Sequence, residues 1–90
     1  MPKIKKAQQK FLSVKVYSPN QIYYEDQASS ISAENDSGPF DILPMHHNFI
    51  TLVNACEVII RNENAEDKKI IIAGGIMHVR NNRVTLFLDV

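Results

Sequence analysis

The stretch Gly74-Gly75-Ile76-Met77-His78-Val79-Arg80-Asn81-Asn82-Arg83-Val84-Thr85-Leu86-Phe87-Leu88-Asp89-Val90 reads as two β-strands hinged on an asparagine pair. Ile76 to Arg80 and Arg83 to Val90 are strand-prone, and Asn81-Asn82 is a hairpin turn between them. The glycine pair ahead of them lacks side chains, which permits a bulge or a close approach of two backbones. Before it lies Lys69-Ile70-Ile71-Ile72-Ala73, another short apolar run. This C-terminal quarter is built of strands, and the rest of the chain follows suit.

At the other end, Leu12, Val14 and Val16 alternate with Ser13, Lys15 and Tyr17, the period-two pattern of a half-buried strand. Ser18-Pro19-Asn20 ends it, and the aromatic run Ile22-Tyr23-Tyr24-Glu25 returns as the second arm of a hairpin. In residues 27–35, Ile31 and Ala33 alternate with Ser30, Ser32 and Glu34, and the small polar side chains predict an exposed or edge strand. Asn35-Asp36-Ser37-Gly38-Pro39 is a dense turn signal, and Phe40, Ile42 and Leu43 form a short strand in a shaped loop that ends at Pro44. Phe49-Ile50-Thr51-Leu52-Val53 and Glu57-Val58-Ile59-Ile60-Arg61 are compact apolar runs on either side of Asn54-Ala55-Cys56. Residues 62–68 are expected to be a charged turn, too polar to join the core. The spacing of these runs and the lack of helical periodicity predict an all-β fold, a small antiparallel β-sandwich or barrel of about ten short strands.

A chain of 90 residues fits one domain, because it buries only roughly 60 % of its unfolded surface and cannot divide that core. Residues 11–90 are assigned to the domain and residues 1–10, with Lys3, Lys5, Lys6 and Lys10, to a flexible basic extension. Ten basic and ten acidic residues balance, so nothing demands a nucleic-acid partner. The single cysteine, Cys56, has no internal disulfide partner and is read as a buried structural thiol. No apolar run approaches the roughly 18 residues that cross a bilayer, so direct membrane insertion is not expected.

The residues able to do chemistry lack the context for it. His46 and His47 are adjacent, so in a strand they would face opposite ways, and His78 adds no metal-binding spacing. His46 is instead read as a loop histidine whose ring bonds the backbone. Ser37, Asp41 and His46 supply the residue types of a nucleophile triad without a nucleophile elbow. Gly74-Gly75 is followed by neither Lys-Ser/Thr nor a helix, so it is not a phosphate loop and more naturally lets two strands meet. Tyr17, Tyr23 and Tyr24 are read as core or cross-strand packing, with an exposed docking patch as the alternative. No catalytic residue, cofactor or metal site is assigned.

Two motifs, in order, resemble the N-terminal β-sandwich domain of the epsilon subunit of F-type ATP synthases, called delta in mitochondria. The family's Gly-x-Phe/Leu-Gly-Ile-Leu-Pro-Gly-His is similar to Gly38-Pro39-Phe40-Asp41-Ile42-Leu43-Pro44-Met45-His46. Its Gly-Gly-Phe-x-x-Val, an Asn turn, Val-Thr-Val and a closing Asp resemble Gly74-Gly75-Ile76-Met77-His78-Val79, Asn81-Asn82, Val84-Thr85-Leu86 and Asp89. Val14-Lys15-Val16-Tyr17-Ser18-Pro19 looks like the family's first strand and turn, and Tyr24 stands where an aromatic residue is usual. The chain departs from the pattern where Asp41 and Met45 replace two loop glycines, where the Pro usual after the His gives way to Asn48, and where Ala55-Cys56 stands for a Pro-Gly turn. If those glycines use positive φ, Asp41 adopts that conformation at modest cost and Met45 with more difficulty.

The resemblance implies a non-catalytic rotor subunit that binds the gamma subunit and the c ring, coupling ion translocation to ATP synthesis. It implies a c-ring interface at Asn35, Asp36, Ser37, Gly38, Pro39, Phe40 and Asp41 and a gamma interface at Ile42, Leu43, Pro44, Met45 and His46. Phe40, Ile42 and Leu43 are expected to be exposed apolar anchors. The expected location is the soluble side of a membrane complex, the bacterial cytoplasmic face before an organelle. The family's helical hairpin follows its sandwich, and since this chain ends at Val90, inhibition of ATP hydrolysis and ATP binding are not expected. The alternative is a stand-alone epsilon-like module that binds another protein or a metal through the altered loop.

Overall fold

The computed structural model describes residues 11–63 and 65–89; the basic extension assigned to residues 1–10 lies outside them. Among the described residues nine strands form two sheets. They are β1 (Leu12–Ser18), β2 (Gln21–Ala28), β3 (Ser30–Asn35), β4 (Gly38–Ile42), β5 (Phe49–Val53), β6 (Cys56–Asn62), β7 (Ala65–Ile72), β8 (Gly75–Arg80) and β9 (Arg83–Leu88). One sheet has the order β2-β1-β9-β8-β5 and the other β4-β3-β6-β7.

Alternation builds the core. Leu12, Val14 and Val16 meet Val84, Leu86 and Leu88 and Met77 and Val79 on the inner face of the five-stranded sheet, while Ile31, Ala33, Ile42, Val58, Ile60 and Ile72 line the four-stranded one, all buried. Full burial of each Leu, Ile, Val or Met stabilises the fold by about 1.5–3 kcal/mol. Among the described residues no buried side-chain polar atom lacks a partner.

The chain changes sheet at small or polar residues that satisfy backbone groups. At Ser29 the amide and the hydroxyl both donate to the Arg61 carbonyl, at 2.7 and 2.9 Å. Asn54 donates its amide to the Glu34 carbonyl at 2.9 Å, tying the β5–β6 crossing to β3. Gly74, with φ of 147°, makes the β7–β8 crossing and accepts from the Asp89 amide at 3.0 Å. A Cβ added at Gly75 would lie 2.5 Å from the Phe87 carbonyl oxygen, so the glycine serves the close approach of β8 and β9. Asn81 and Asn82 have φ of 51° and 63°, the left-handed pair that a tight two-residue hairpin requires.

The expected all-β sandwich of short strands is present, with nine strands among the described residues and one parallel pair, β1 and β9, among antiparallel ones. Two local expectations are corrected. The strand in residues 27–35 is not at an edge, because β3 pairs with both β4 and β6 and buries Ile31 and Ala33. Its serines face outward, so small polar composition reports its outer face only. The charged turn of residues 62–68 is shorter than expected, because Ala65 to Lys68 already belong to β7, an edge strand whose exposed positions tolerate charge.

Candidate functional site

The loop motif is divided between three structural settings. The turn from β3 to β4 is locked against β5: Ser37 donates its amide to Asn35 Oδ1 at 2.9 Å, Asn35 Nδ2 donates to Thr51 Oγ1 at 3.1 Å, and Asn54 Nδ2 donates to Asp36 Oδ1 at 3.1 Å. Gly38 supplies a φ of 115° there. Asp41 lies in extended β4, outside the left-handed region, and accepts from the Ser32 hydroxyl, which accepts in turn from Arg61 Nη1 at 2.5 Å.

Met45 does take the left-handed conformation, with φ of 72°. Its amide donates to Asn82 Oδ1 at 2.6 Å, so the loop is held by the hairpin turn of the second motif. His46 donates its Nδ1 proton to the His47 carbonyl at 2.8 Å, the backbone role read from the sequence. The two imidazoles stack at 4.3 Å and meet Phe49 edge-on at 5.5 and 6.0 Å. They cap an aromatic contact, Phe40 to Phe49 at 5.8 Å. Among the described residues no group of three His, Cys, Asp or Glu is placed to hold a metal ion. Ser37, Asp41 and His46 have separate partners and are not assembled into a triad. Cys56 is half-buried against the core, and burial raises its thiol pKa above the ordinary value.

Of the three expected apolar anchors, Leu43 is exposed, Phe40 is partly buried and Ile42 is fully buried. Ile42 pairs with Ile31 inside the sandwich, because alternation in β4 turns it inward as Asp41 turns outward. The exposure expected of Ile42 is therefore corrected.

A larger apolar surface lies on the outer face of the five-stranded sheet. Register pairs Leu52 with Ile76, Ile76 with Phe87, Phe87 with Tyr17, and Tyr17 with Ile22. One unbroken row thus crosses all five strands, a span of about 19 Å at the usual strand spacing. Leu52 is 71 % exposed, Ile22 53 %, Ile76 47 % and Phe87 39 %. Tyr17 contacts Phe87 at 5.1 Å between ring centroids, and Lys15 Nζ lies 4.7 Å above its ring. Ile50, 69 % exposed, lies next to Leu52 on the same face of β5, opposite His78 and beside the Asn35–Ser37 turn. At its glycine end the row borders a groove of about 560 Å³ lined by Pro19, Leu52, Gly74, Gly75, Ile76 and Phe87, among others. Exposed apolar rows of this length are the kind of surface that protein interfaces cover. Sequence reading assigned Tyr17 to cross-strand packing, which it does make, but missed that four neighbours share its outward parity. Only the register brings residues so distant in sequence into one line.

The sequence profile of the family described as ATP synthase, Delta/Epsilon chain, beta-sandwich domain matches residues 11–90. The ATP synthase epsilon chain of Brevibacillus brevis is 30 % identical over 78 residues, covering 87 % of this chain and 59 % of the relative. That of Clostridium novyi is 28 % identical over 80 residues, covering 89 % and 61 %. The chain thus spans about three-fifths of the curated relatives' length. Among solved structures, a chain of the Euglena gracilis mitochondrial ATP synthase (OSCP/F1/c-ring) superposes with a TM-score of 0.81 at 14 % identity, covering 88 % of this chain and 51 % of that one. A chain of the Tetrahymena thermophila mitochondrial ATP synthase central stalk and c ring gives 0.72 at 16 % identity, covering 86 % and 62 %. With both loop motifs inside the matched span and the sandwich in place, the chain belongs to the delta/epsilon-chain β-sandwich domain family of ATP synthases.

Proposed function

We propose that this chain is a non-catalytic central-stalk subunit of an F-type ATP synthase, binding the gamma subunit and resting on the c ring to couple ion translocation to ATP synthesis. The observation that carries the reading is the exposed row Leu52–Ile76–Phe87–Tyr17–Ile22 on a domain of this family. Gamma covers that row and reaches the loop at Ile42, Leu43, Pro44, Met45 and His46. Leu43 and Met45 make contact from the surface, while Ile42 holds the loop from within. The c ring meets Asn35, Asp36, Ser37, Gly38, Pro39, Phe40 and Asp41, whose turn is braced on β5 beside Ile50 and Leu52.

A part that passes torque between other subunits needs stiffness more than reactive groups. Two packed sheets, tight turns and a loop pinned by Asn82 supply it. Among the described residues no helix is long and apolar enough to cross a membrane. In this reading the chain sits on the soluble face of the membrane complex, in bacteria the cytoplasmic side, held there by gamma and the c ring. The part of the longer relatives that this chain does not cover lies outside this proposal.

The test is size-exclusion chromatography with the gamma subunit from the same source, followed by titration. A one-to-one complex is expected, and the Leu52→Asp/Ile76→Asp variant is expected to weaken it at least about 100-fold, since burying two charges in an interface centre removes hot-spot contacts. Ile71→Asp, on the outer side of β7, is expected to leave affinity unchanged. Failure of the folded wild-type chain to bind folded gamma would overturn the proposal.

A further inference from the structure

We propose that Arg80 and Arg83 anchor an acidic segment of the partner protein that covers the apolar row. The inference rests on the docking reading above and states what chemistry that partner brings. Arg80 and Arg83 stand directly opposite each other where β8 and β9 enter their turn, and both are exposed. Like charges in directly opposed positions of an antiparallel pair destabilise it. Among the described residues neither guanidinium has an ion-pair or hydrogen-bond partner. The hairpin therefore carries a repulsion that nothing within the described fold relieves.

The pair also lies on the docking face. The next positions along the strands pair His78 with Thr85 and Thr85 with Lys15, and the row beyond them is Ile76, Phe87 and Tyr17. Lys15, Arg80 and Arg83 thus share the outer face with one acid, Glu25, which pairs with Lys15. Arg80 is four residues from Ile76, about 13 Å along the strand. The fitting occupant has an apolar strip with carboxylates about 13 Å to one side, as a helix provides over roughly nine residues. Arginine forks suit carboxylates because two N–H groups match two oxygens. A nucleic acid is disfavoured, since its phosphates leave the adjoining apolar row uncovered and the chain as a whole has a net charge of zero.

The deciding experiment titrates the gamma subunit against wild type, Arg80→Glu/Arg83→Glu and Arg80→Lys/Arg83→Lys at low and high salt. The glutamate variant keeps a like-charged pair, so its melting temperature should stay near that of wild type. Its affinity at low salt should fall at least about tenfold, and the salt dependence seen for wild type should flatten or reverse. The lysine variant should retain the salt dependence. If the glutamate variant binds like wild type while Leu52→Asp/Ile76→Asp abolishes binding, the face docks gamma and the arginine inference is overturned. If vesicles of anionic lipid bind wild type and not the glutamate variant, with gamma affinity unmoved, the patch meets a membrane surface and the inference is again overturned. If wild type does not bind gamma, both readings fall.

Discussion

The two outer faces of the sandwich follow the same alternation and put it to opposite uses. On the four-stranded sheet, outward positions include Asp41, Ser32 and Arg61, which bond to one another across three strands, with Ile71 exposed singly on the edge strand. On the five-stranded sheet, outward positions hold an apolar row and two opposed arginines, and the contacts among them leave most of that surface uncovered. Polar groups that satisfy one another have less to gain from being covered. A face that leaves apolar area and like charges open gains a great deal. The difference separates stability from gamma docking: substitutions at Ser32 and Arg61 on the first face should register in unfolding, and those in the apolar row of the second in gamma binding.

The largest expected effect tests whether the loop motif is core or interface. Ile42→Ala should cost about 3 kcal/mol in chemical denaturation, because it opens a cavity under β4. A loss below about 1 kcal/mol, paired with weakened gamma binding, would return Ile42 to the surface. Next, Gly75→Ala should cost about 2 kcal/mol and weaken gamma binding in parallel, since the added methyl pushes β8 from the Phe87 carbonyl and bends the row. Arg61→Ala sharpens the contrast between the faces. It should cost about 1–1.5 kcal/mol by removing a charged donor from Ser32, with gamma affinity unchanged. The smallest effect is a gain: Met45→Gly should stabilise by about 0.5–1 kcal/mol, because a side chain held at φ of 72° is strained and glycine is not. Equal stability would mean that the Met45 contact with Asn82 offsets the strain.

The fold was legible because its strands are short, alternate cleanly and end at Pro, Gly and Asn. Leu12, Val14 and Val16 needed only parity to be placed inside. What could not be read is whatever depends on which strands become neighbours. The parallel β1–β9 pair and the interior place of β3 come from topology, and local composition carries no sign of either. The candidate site shows the same division. The motif named a loop, yet Asp41 and Met45 went separate ways because one lies in a strand and the other in the turn after it. The apolar row was present in the sequence as Tyr17, Ile22, Leu52, Ile76 and Phe87, scattered over seventy-odd positions, and it became a surface only through register.

The parallel pairing of β1 with β9 also sets a clock for the domain's birth. Ser13 pairs with Arg83 and Tyr17 with Phe87 at the centre of the five-stranded sheet, so its middle cannot form until the last strand has left the ribosome. Until then β2 and β1 lack their inner neighbour and the hydrophobic face of the other sheet lacks its cover. Closing a contact across nearly the whole chain makes assembly late and cooperative. The domain should therefore fold all at once, when β9 becomes free to pair with β1.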